Sequence, residues 1–492
     1  MSDSIQQQTT RGWRWALAPL LIAVLAACTV GPDHTVPVTA VADSYLRQDA
    51  EAAQLAVPAA DAPFWETMGD PMLASLVEQA LGANHDVRIA LARYEQANAL
   101  LRESGFDRFP TLSADGEISD RRSSESQMPG VSRSGRDGEL HLASLSAVWE
   151  LDFFGRVRRG IESQRADAQA SAADLAGVQV AIVSDLADAY FRLRGLQAQL
   201  QVARDNAGNQ ADTLRLIDAL LENGRGTSFD ADRARTQWEL TRSRIPPLEA
   251  EAAVMGHRIA VLTGQTPEAL AAQLDTPAAL PPVAGQVNAG APGELLRRRP
   301  DIAAAERRLA AETARIGVVT ADLFPRFTLG GLIGTQAMDF GAMFERDSET
   351  RLISLGIGGS FLDVGRVRAR IAAANASAAA SLAEYERTVL RAMEETENAL
   401  VRLSHAQTEN ASLLQAAQAS RRAATTARVQ FDGGVANVLD VLAAERTRLE
   451  AEDLLAQSSA RRATALVAVY RALAGGWPDA LPEPQGEKFA QR

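Results

Sequence analysis

Residues 84–118 read NHDVRIALARYEQANALLRESGFDRFPTLSADGEI, and residues 299–333 read RPDIAAAERRLAAETARIGVVTADLFPRFTLGGLI. The two stretches align without a gap at a spacing of 215: Asp86 meets Asp301, Arg93 meets Arg308, and Phe109-Pro110 meets Phe324-Pro325. Further along the spacing becomes 210, where Gly155-Arg156-Val157-Arg158 meets Gly365-Arg366-Val367-Arg368 and Gly224 with Asp230 meets Gly434 with Asp440. The lost residues fall in the polar stretch between Ile118 and Leu140, where a surface loop changes length freely. An internal repeat of this size organises the whole chain. It divides into repeat 1 (84–275), a Pro/Ala/Gly-rich linker (276–298) and repeat 2 (299–478), preceded by residues 28–83 as an amino-terminal extension and followed by a tail, 479–492.

Within each copy two short segments switch to a period of two. Leu112, Ala114, Gly116 and Ile118 alternate with Thr111, Ser113, Asp115 and Glu117, and the 215 spacing puts Phe327, Leu329, Gly331 and Ile333 on the same face. Ala143, Leu145, Ala147, Trp149 and Leu151 form a second alternation, matched by Ile353, Leu355, Ile357, Gly359 and Phe361. The pattern predicts strands at about 110–121, 140–152, 326–336 and 351–362, each with one apolar side, and hairpin loops over 119–138 and 336–350. Strands of about ten residues suit a tilted membrane barrel, but four are too few to close one, so the barrel must be shared between chains. A soluble four-stranded sheet packed on helices is the alternative.

The remainder reads as helix. No proline interrupts Arg156–Asn223 or Arg366–Asp432, lengths that reach about 100 Å at 1.5 Å per residue. In the first copy Leu186, Leu193, Leu200, Ala207, Leu214 and Leu221 recur every seven residues, with Ala189, Leu196, Ala203 and Ile217 on the companion position and Gln210 as the exception. Such a stripe indicates coiled-coil packing. The second copy carries smaller residues there, such as Ala399, Ala406, Ala417, Ala424 and Ala427. Each long helix is expected to end in a tight turn, ENGRGTSFDADRA (222–234) or DGGVANVLDVLAA (432–444), with Gly224 or Gly434 supplying positive φ and Thr227, Ser228 or Asn437 an N-cap. A second helix then returns, broken in the first copy by Pro246-Pro247. The helical hairpins span 156–264 and 366–475.

The one cysteine in 492 residues lies in LIAVLAACTV (21–30). Arg11 and Arg14 precede an apolar run from Trp15 to Ala27, right for a secretion signal (1–27) and short for a membrane span. Leu25-Ala26-Ala27-Cys28 looks like a bacterial lipobox, which makes Cys28 an acylated mature terminus; a small buried cysteine is the alternative. A lone thiol has no disulfide or thiolate partner in the chain. After residue 27 no apolar run approaches the length of a membrane helix, so a chain that crosses a membrane does so as a closed barrel. The net charge of −12 and the lack of a basic stripe argue against nucleic acid. His34, His85, His141, His257 and His405 are far apart, without metal-ligand spacing, and are expected at the surface or an interface; no catalytic constellation and no cofactor are expected.

Taken with the lipobox, the stretch from Leu295 to Pro325, the paired LDFFGRVR (151–158) and FLDVGRVR (361–368), and the two tip turns, the chain resembles the outer-membrane efflux proteins of the TolC superfamily, in the OprM/NodT-like lipoprotein branch. The match covers nearly the whole mature chain. The resemblance implies a mainly α fold with a membrane β-barrel, in which a homotrimer closes twelve strands above a periplasmic helical tunnel. It further implies a lipid-anchored exit duct passing small molecules such as drugs from an inner-membrane, proton-driven pump through a periplasmic membrane-fusion adaptor. Metal efflux and ABC-driven protein secretion are the alternative duties. By position, the adaptor would contact Gly224, Thr227, Asp230, Gly434, Asn437 and Asp440, and the closed gate would use Leu439 and Arg446. Ala443 stands where that branch carries an Asp, a departure at the gate's ion pair.

Overall fold

The computed structural model describes residues 29–42, 44–46, 64–278, 280 and 291–474. The signal segment, Cys28, most of the Pro/Ala/Gly linker and the tail lie outside the described residues. In chain order the elements are α1 (Phe64–Thr67), α2 (Pro71–Ala83), α3 (His85–Phe106), β1 (Thr111–Arg122), β2 (Asp137–Leu151), α4 (Arg156–Glu222), α5 (Ser228–Arg242), α6 (Ile245–Leu262), α7 (Ala271–Leu274) and α8 (Pro292–Arg298). They continue with α9 (Pro300–Ala321), β3 (Arg326–Ala337), β4 (Glu349–Gly358), α10 (Val364–Asp432) and α11 (Val438–Leu473). These residues form two compact units, one of 29–38, 95–171 and 305–385, the other of 39–94, 172–304 and 386–474.

The first unit carries one antiparallel sheet in the order β1-β2-β3-β4, so β1 and β4 are its edges and the β2–β3 pairing joins the two repeats. The register aligns the apolar positions into rows, one of which crosses all four strands. Leu112 pairs Ala147, which pairs Gly331, which pairs Ile353; Ala114, Leu145 and Ile333 form the next row, and Trp149, Leu329 and Leu355 another. A slip of one residue would turn each row to the opposite face, so the alternation itself specifies the pairing. The face is open: Leu112, Ile118, Ile333, Ile353, Leu355 and Ile357 are all more than half exposed. A sheet with an uncovered apolar face and two unpaired edges is incomplete in water.

The strands differ from expectation at their ends. β4 stops at Gly358, not at Leu362, because Ser360 already accepts a turn bond from Asp363 N ahead of α10. The first hairpin loop is shorter than 119–138, since β1 runs to Arg122 and β2 starts at Asp137. His141 is not a surface residue: it is 7% exposed, hydrogen-bonded to Glu139 and packed edge-on to Phe340 from the second hairpin loop. His34 is half-buried against Glu306.

The second unit holds the main core. Tyr190, Phe191, Leu175 and Leu186 of α4 pack with Leu73 and Leu76 of α2, Ile259 of α6, and Leu466 and Leu473 of α11. Phe64 stacks on Tyr470 at 4.9 Å. Residues 64–83, read from sequence as part of an extension, are therefore core helices; Asp70 caps α2 by accepting from Met72 N and Leu73 N, and takes the Tyr190 hydroxyl at 2.5 Å. Asn84 caps α3 and donates to the carbonyl of Leu262, tying the start of repeat 1 to the end of its hairpin. One expectation is overturned here: by length and composition, an 18-residue window of α4 is apolar enough to cross a membrane. Its apolar residues are dispersed among small ones, so no single run shows in the sequence, and α4 supplies much of this core.

The heptad stripe is the buried face of α4 over most of its length: Leu186, Ala189, Leu193, Ala203, Ala207, Leu214 and Ile217 are each 8% exposed or less, while Leu196 and Leu200 are only partly buried and Leu221, next to the tip, is exposed. The return helix of repeat 1 breaks at Ser243-Arg244, and Pro246 sits in the first turn of α6, where its missing N–H goes unused. In repeat 2, α11 runs 36 residues without interruption.

Candidate gate and hairpin tips

At the first tip α4 ends through Gly224, with φ 73°, which donates to Leu221 O, while Arg225 N and Gly226 N both reach Leu220 O. The left-handed glycine lets the chain reverse while these bonds satisfy the last carbonyls. Thr227 then caps α5, its hydroxyl accepting from Asp230 N at 3.2 Å and donating to Asp230 Oδ2 at 2.7 Å. The second tip repeats the design. Gly434 (φ 75°) donates to Phe431 O, Val435 N to Gln430 O, and Asn437 and Asp440 form a reciprocal capping box with bonds of 3.0 and 3.2 Å.

All six tip residues read from the sequence thus meet in two equivalent turns. Their polar side chains are committed to capping: Thr227, Asp230, Asn437 and Asp440 each spend a side-chain atom on the helix start. Beside exposed polar groups such as Arg225 and Asp432, the tips present two apolar side chains that the sequence reading does not single out: Phe229 is 64% exposed, with Arg233 over its ring, and Val435 is 82% exposed.

Behind the tips Leu214 and Ile217 of α4 pack with Ala231 and Ala234 of α5, joined by Trp238, Val438 and Leu442. The two residues expected at the gate lie on α11. Leu439 is half-buried and Arg446, seven residues on, is exposed, reaching only Glu450 one turn away at 3.9 Å. Ala443, exposed between them, offers a methyl group where a carboxylate was expected.

Charged groups that sequence reasoning missed meet instead one layer inward. Arg428 of α10 donates to Thr213 of α4 at 3.2 Å and stands 3.9 Å from Glu445 of α11. Arg448 donates to Asn206 Oδ1 at 2.9 Å and lies 3.9 Å from Glu452, which accepts two bonds from Arg421. Burial, opposed by Arg428 and Arg448, holds the Glu445 carboxyl above the ordinary glutamate range. Gln210, the break in the heptad stripe, is 3% exposed with neither amide atom hydrogen-bonded. The signal was present in that break: Asn206, Gln210 and Thr213 put polar groups on or beside an otherwise apolar seam. Among the described residues no group of three His, Cys, Asp or Glu side chains gathers as a metal site.

The sequence profile named "Outer membrane efflux protein" matches residues 76–265 and 291–475. The chain is 30% identical over 475 residues to Nodulation protein T of Rhizobium leguminosarum bv. viciae, covering 94% of this chain and 93% of that one. It is 31% identical over 469 residues to the pyoverdine export outer membrane protein OpmQ of Pseudomonas putida, covering 94% and 97%. Among solved structures, the outer-membrane channel OprN superposes with a TM-score of 0.83 at 40% identity, over 92% of this chain and 100% of that one.

Proposed function

The chain belongs to the outer membrane efflux protein family and is an outer-membrane efflux channel with a helical periplasmic tunnel, and from that premise we propose how its copies, partners and cargo are arranged. Three copies supply twelve strands, the edge β4 of one pairing with the edge β1 of the next. The observation that carries this is the sheet: one apolar row across all four strands, flanked by shorter apolar rows on the same exposed face, with both edges unpaired. In lipid every backbone polar group must be satisfied, and closure does so while turning the apolar rows to the bilayer. Acylation of Cys28 adds an anchor of about 0.8 kcal/mol per buried methylene.

The duct performs no chemistry. A proton-driven pump in the inner membrane supplies the free energy, and a periplasmic adaptor engages the two tip turns, where Phe229 and Val435 project beyond the capped helix starts. Small organic molecules are the cargo, in keeping with the relative named for pyoverdine export. The gate opens by repacking of α10 and α11 against α4 and α5, a switch between two helix packings. Leu439 and Arg446 lie at the constriction. Because Ala443 carries no charge, the closed packing is held from within each chain by Arg428 on Thr213 and Arg448 on Asn206.

Photoreactive residues at Val435 and Phe229, activated in cells and followed by mass spectrometry, test the proposal. Capture of a periplasmic adaptor is the expected result, and the pump encoded with that adaptor then defines the cargo class. Capture of only the chain itself would remove the partner assignment.

A further inference from the structure

Residues 29–38 have no regular secondary structure, yet their first part is gripped at every step. Val30 N donates to Phe154 O at 3.2 Å. Arg159, whose side chain is 4% exposed, donates to Val30 O at 3.2 Å, to Gly31 O at 3.3 Å and to Asp33 at 2.6 Å, while His34 meets Glu306 at 2.5 Å. Two glycines on the body make room. A Cβ on Gly155 (φ 85°) would lie 2.6 Å from Thr29, and one on Gly317 would lie 2.9 Å from Val30 O and 2.8 Å from Arg159. Gly31 of the segment, at φ 95°, sits directly on Gly317.

The duplication provides an internal control. At the pseudo-equivalent junction of the other repeat, Arg159 corresponds to Ala369, Gly317 to Arg102 and Glu306 to Leu91. Gly155 corresponds to Gly365, which has no positive φ and open space where a Cβ would be. Every feature that receives the segment is thus confined to one of two otherwise matching sites. The same junction carries the aromatic groups: Phe154 stacks on Phe324 at 4.6 Å and Phe153 meets Phe327 edge-on at 5.1 Å, where the other repeat has Val364 and Asp363 in place of Phe154 and Phe153. Rings at the ends of membrane strands mark the level of the lipid headgroups.

We propose that Arg159, Gly155 and Gly317 are positioning residues for the membrane anchor: they clamp residues 29–34 as a strap, so that acyl chains on the amino terminus enter the membrane beside Phe154 and Phe324. The inference rests on the reading of Cys28 as acylated. It adds that the anchor has a fixed point of entry rather than a free tether. A flexible tether of several residues would let acyl chains and channel sample many separations; the clamp removes that freedom and couples lipid attachment to the strand–helix junction.

The test uses the full-length channel in its own outer membrane, with a photoreactive residue at Leu323, which is 42% exposed and outside the stacked pair. After irradiation and digestion, mass spectrometry reads both the mass of the amino-terminal peptide and its crosslink to position 323. The expected result is an acylated terminus crosslinked to that position, with yield falling at least tenfold in the pair Arg159→Ala and Gly317→Val. Asp33→Ala, on the exposed side of the strap, lowers the yield with channel assembly intact, which separates loss of the clamp from loss of the fold. An acylated terminus that never crosslinks, or a yield unchanged in the double variant, overturns the positioning role. An unacylated terminus overturns the Cys28 reading, and the anchor with it.

Discussion

Glu445 and Arg428 face each other at 3.9 Å between α11 and α10, and the second carboxylate oxygen of Glu445 is buried with no hydrogen-bond partner. A carboxylate so placed is costly to ionise, because a distant guanidinium does not replace lost water. Its proton affinity is therefore raised in the packed state. Between the ordinary glutamate value and the raised one, the packed state binds more protons than a hydrated one, so stability is fully present at lower pH and is lost as pH rises through the window. Thermal unfolding and single-channel conductance measured across mildly acidic pH should show tighter closure toward acid. Asp167 and Asp188, also raised by burial, add the same sign to the unfolding curve, so Glu445→Gln should flatten only part of it while abolishing the pH dependence of conductance. A variant that keeps the full conductance profile would exclude Glu445 as its source.

Gln210 lies in the coiled-coil stripe with both amide atoms buried and unpartnered. Leaving such a group unsatisfied costs about 1–3 kcal/mol, and a leucine at that position joins Leu214 and Ile217 on the same face. Gln210→Leu should therefore raise the unfolding midpoint of the detergent-solubilised channel by several degrees. It should also slow gate opening, since apolar contacts cannot be exchanged for water as the helices repack. An unchanged midpoint would mean that the amide is satisfied in the assembled channel.

The sequence carries much of this architecture because the repeat states each feature twice. The period-two alternation predicts strand rows that the register reproduces, from Leu112 through Ala147 and Gly331 to Ile353. Gly224 and Gly434 announce turns because glycine alone adopts their φ without a Cβ penalty. The polar seam was harder to read. Long solvated helices place charges at every turn, and nothing local distinguishes Glu445 from Glu450; the contact of Thr213 with Arg428 joins residues 215 apart. The alternation predicts β4 to Leu362, four residues past its end at Gly358, because Gly359 and Phe361 continue the pattern after the backbone has turned. The strap site was present in the alignment, where Arg159 opposes Ala369 and Gly317 opposes Arg102, but its meaning required knowing what lies between them.

Arg299 is 7% exposed and serves three elements, donating to Ala472 O at the end of α11, to Asp301 and to Glu395 of α10. Removing it leaves a helix-end carbonyl and two carboxylates without their cation. Because Asp301 and Glu395 are half-exposed and rehydrate, Arg299→Ala should cost about 1–3 kcal/mol, the range for losing charge-assisted hydrogen bonds, and Arg299→Lys should restore only part, since one ammonium cannot reproduce the planar fork. Heat resistance of the channel and proteolysis near Ala474 measure the effect. Resistance equal to wild type would show that the assembled channel does not depend on this tie.

The last prediction concerns the tips, where Asn437 and Asp440 cap α11 reciprocally. Asn437→Ala should cost about 1 kcal/mol, and because the cap acts on the first turn alone the loss should appear as faster amide exchange of residues 438–441, with the main core unaffected. Gly434→Val is a stronger lesion, since φ 75° is hostile to a β-branched residue, so the turn itself must rearrange. Export should fall steeply with Gly434→Val and modestly with Asn437→Ala, while the amount of channel in the outer membrane stays constant. If both variants export normally although exchange at 438–441 has risen, the turn's shape is irrelevant to coupling, and the adaptor would have to engage the helix flanks above it.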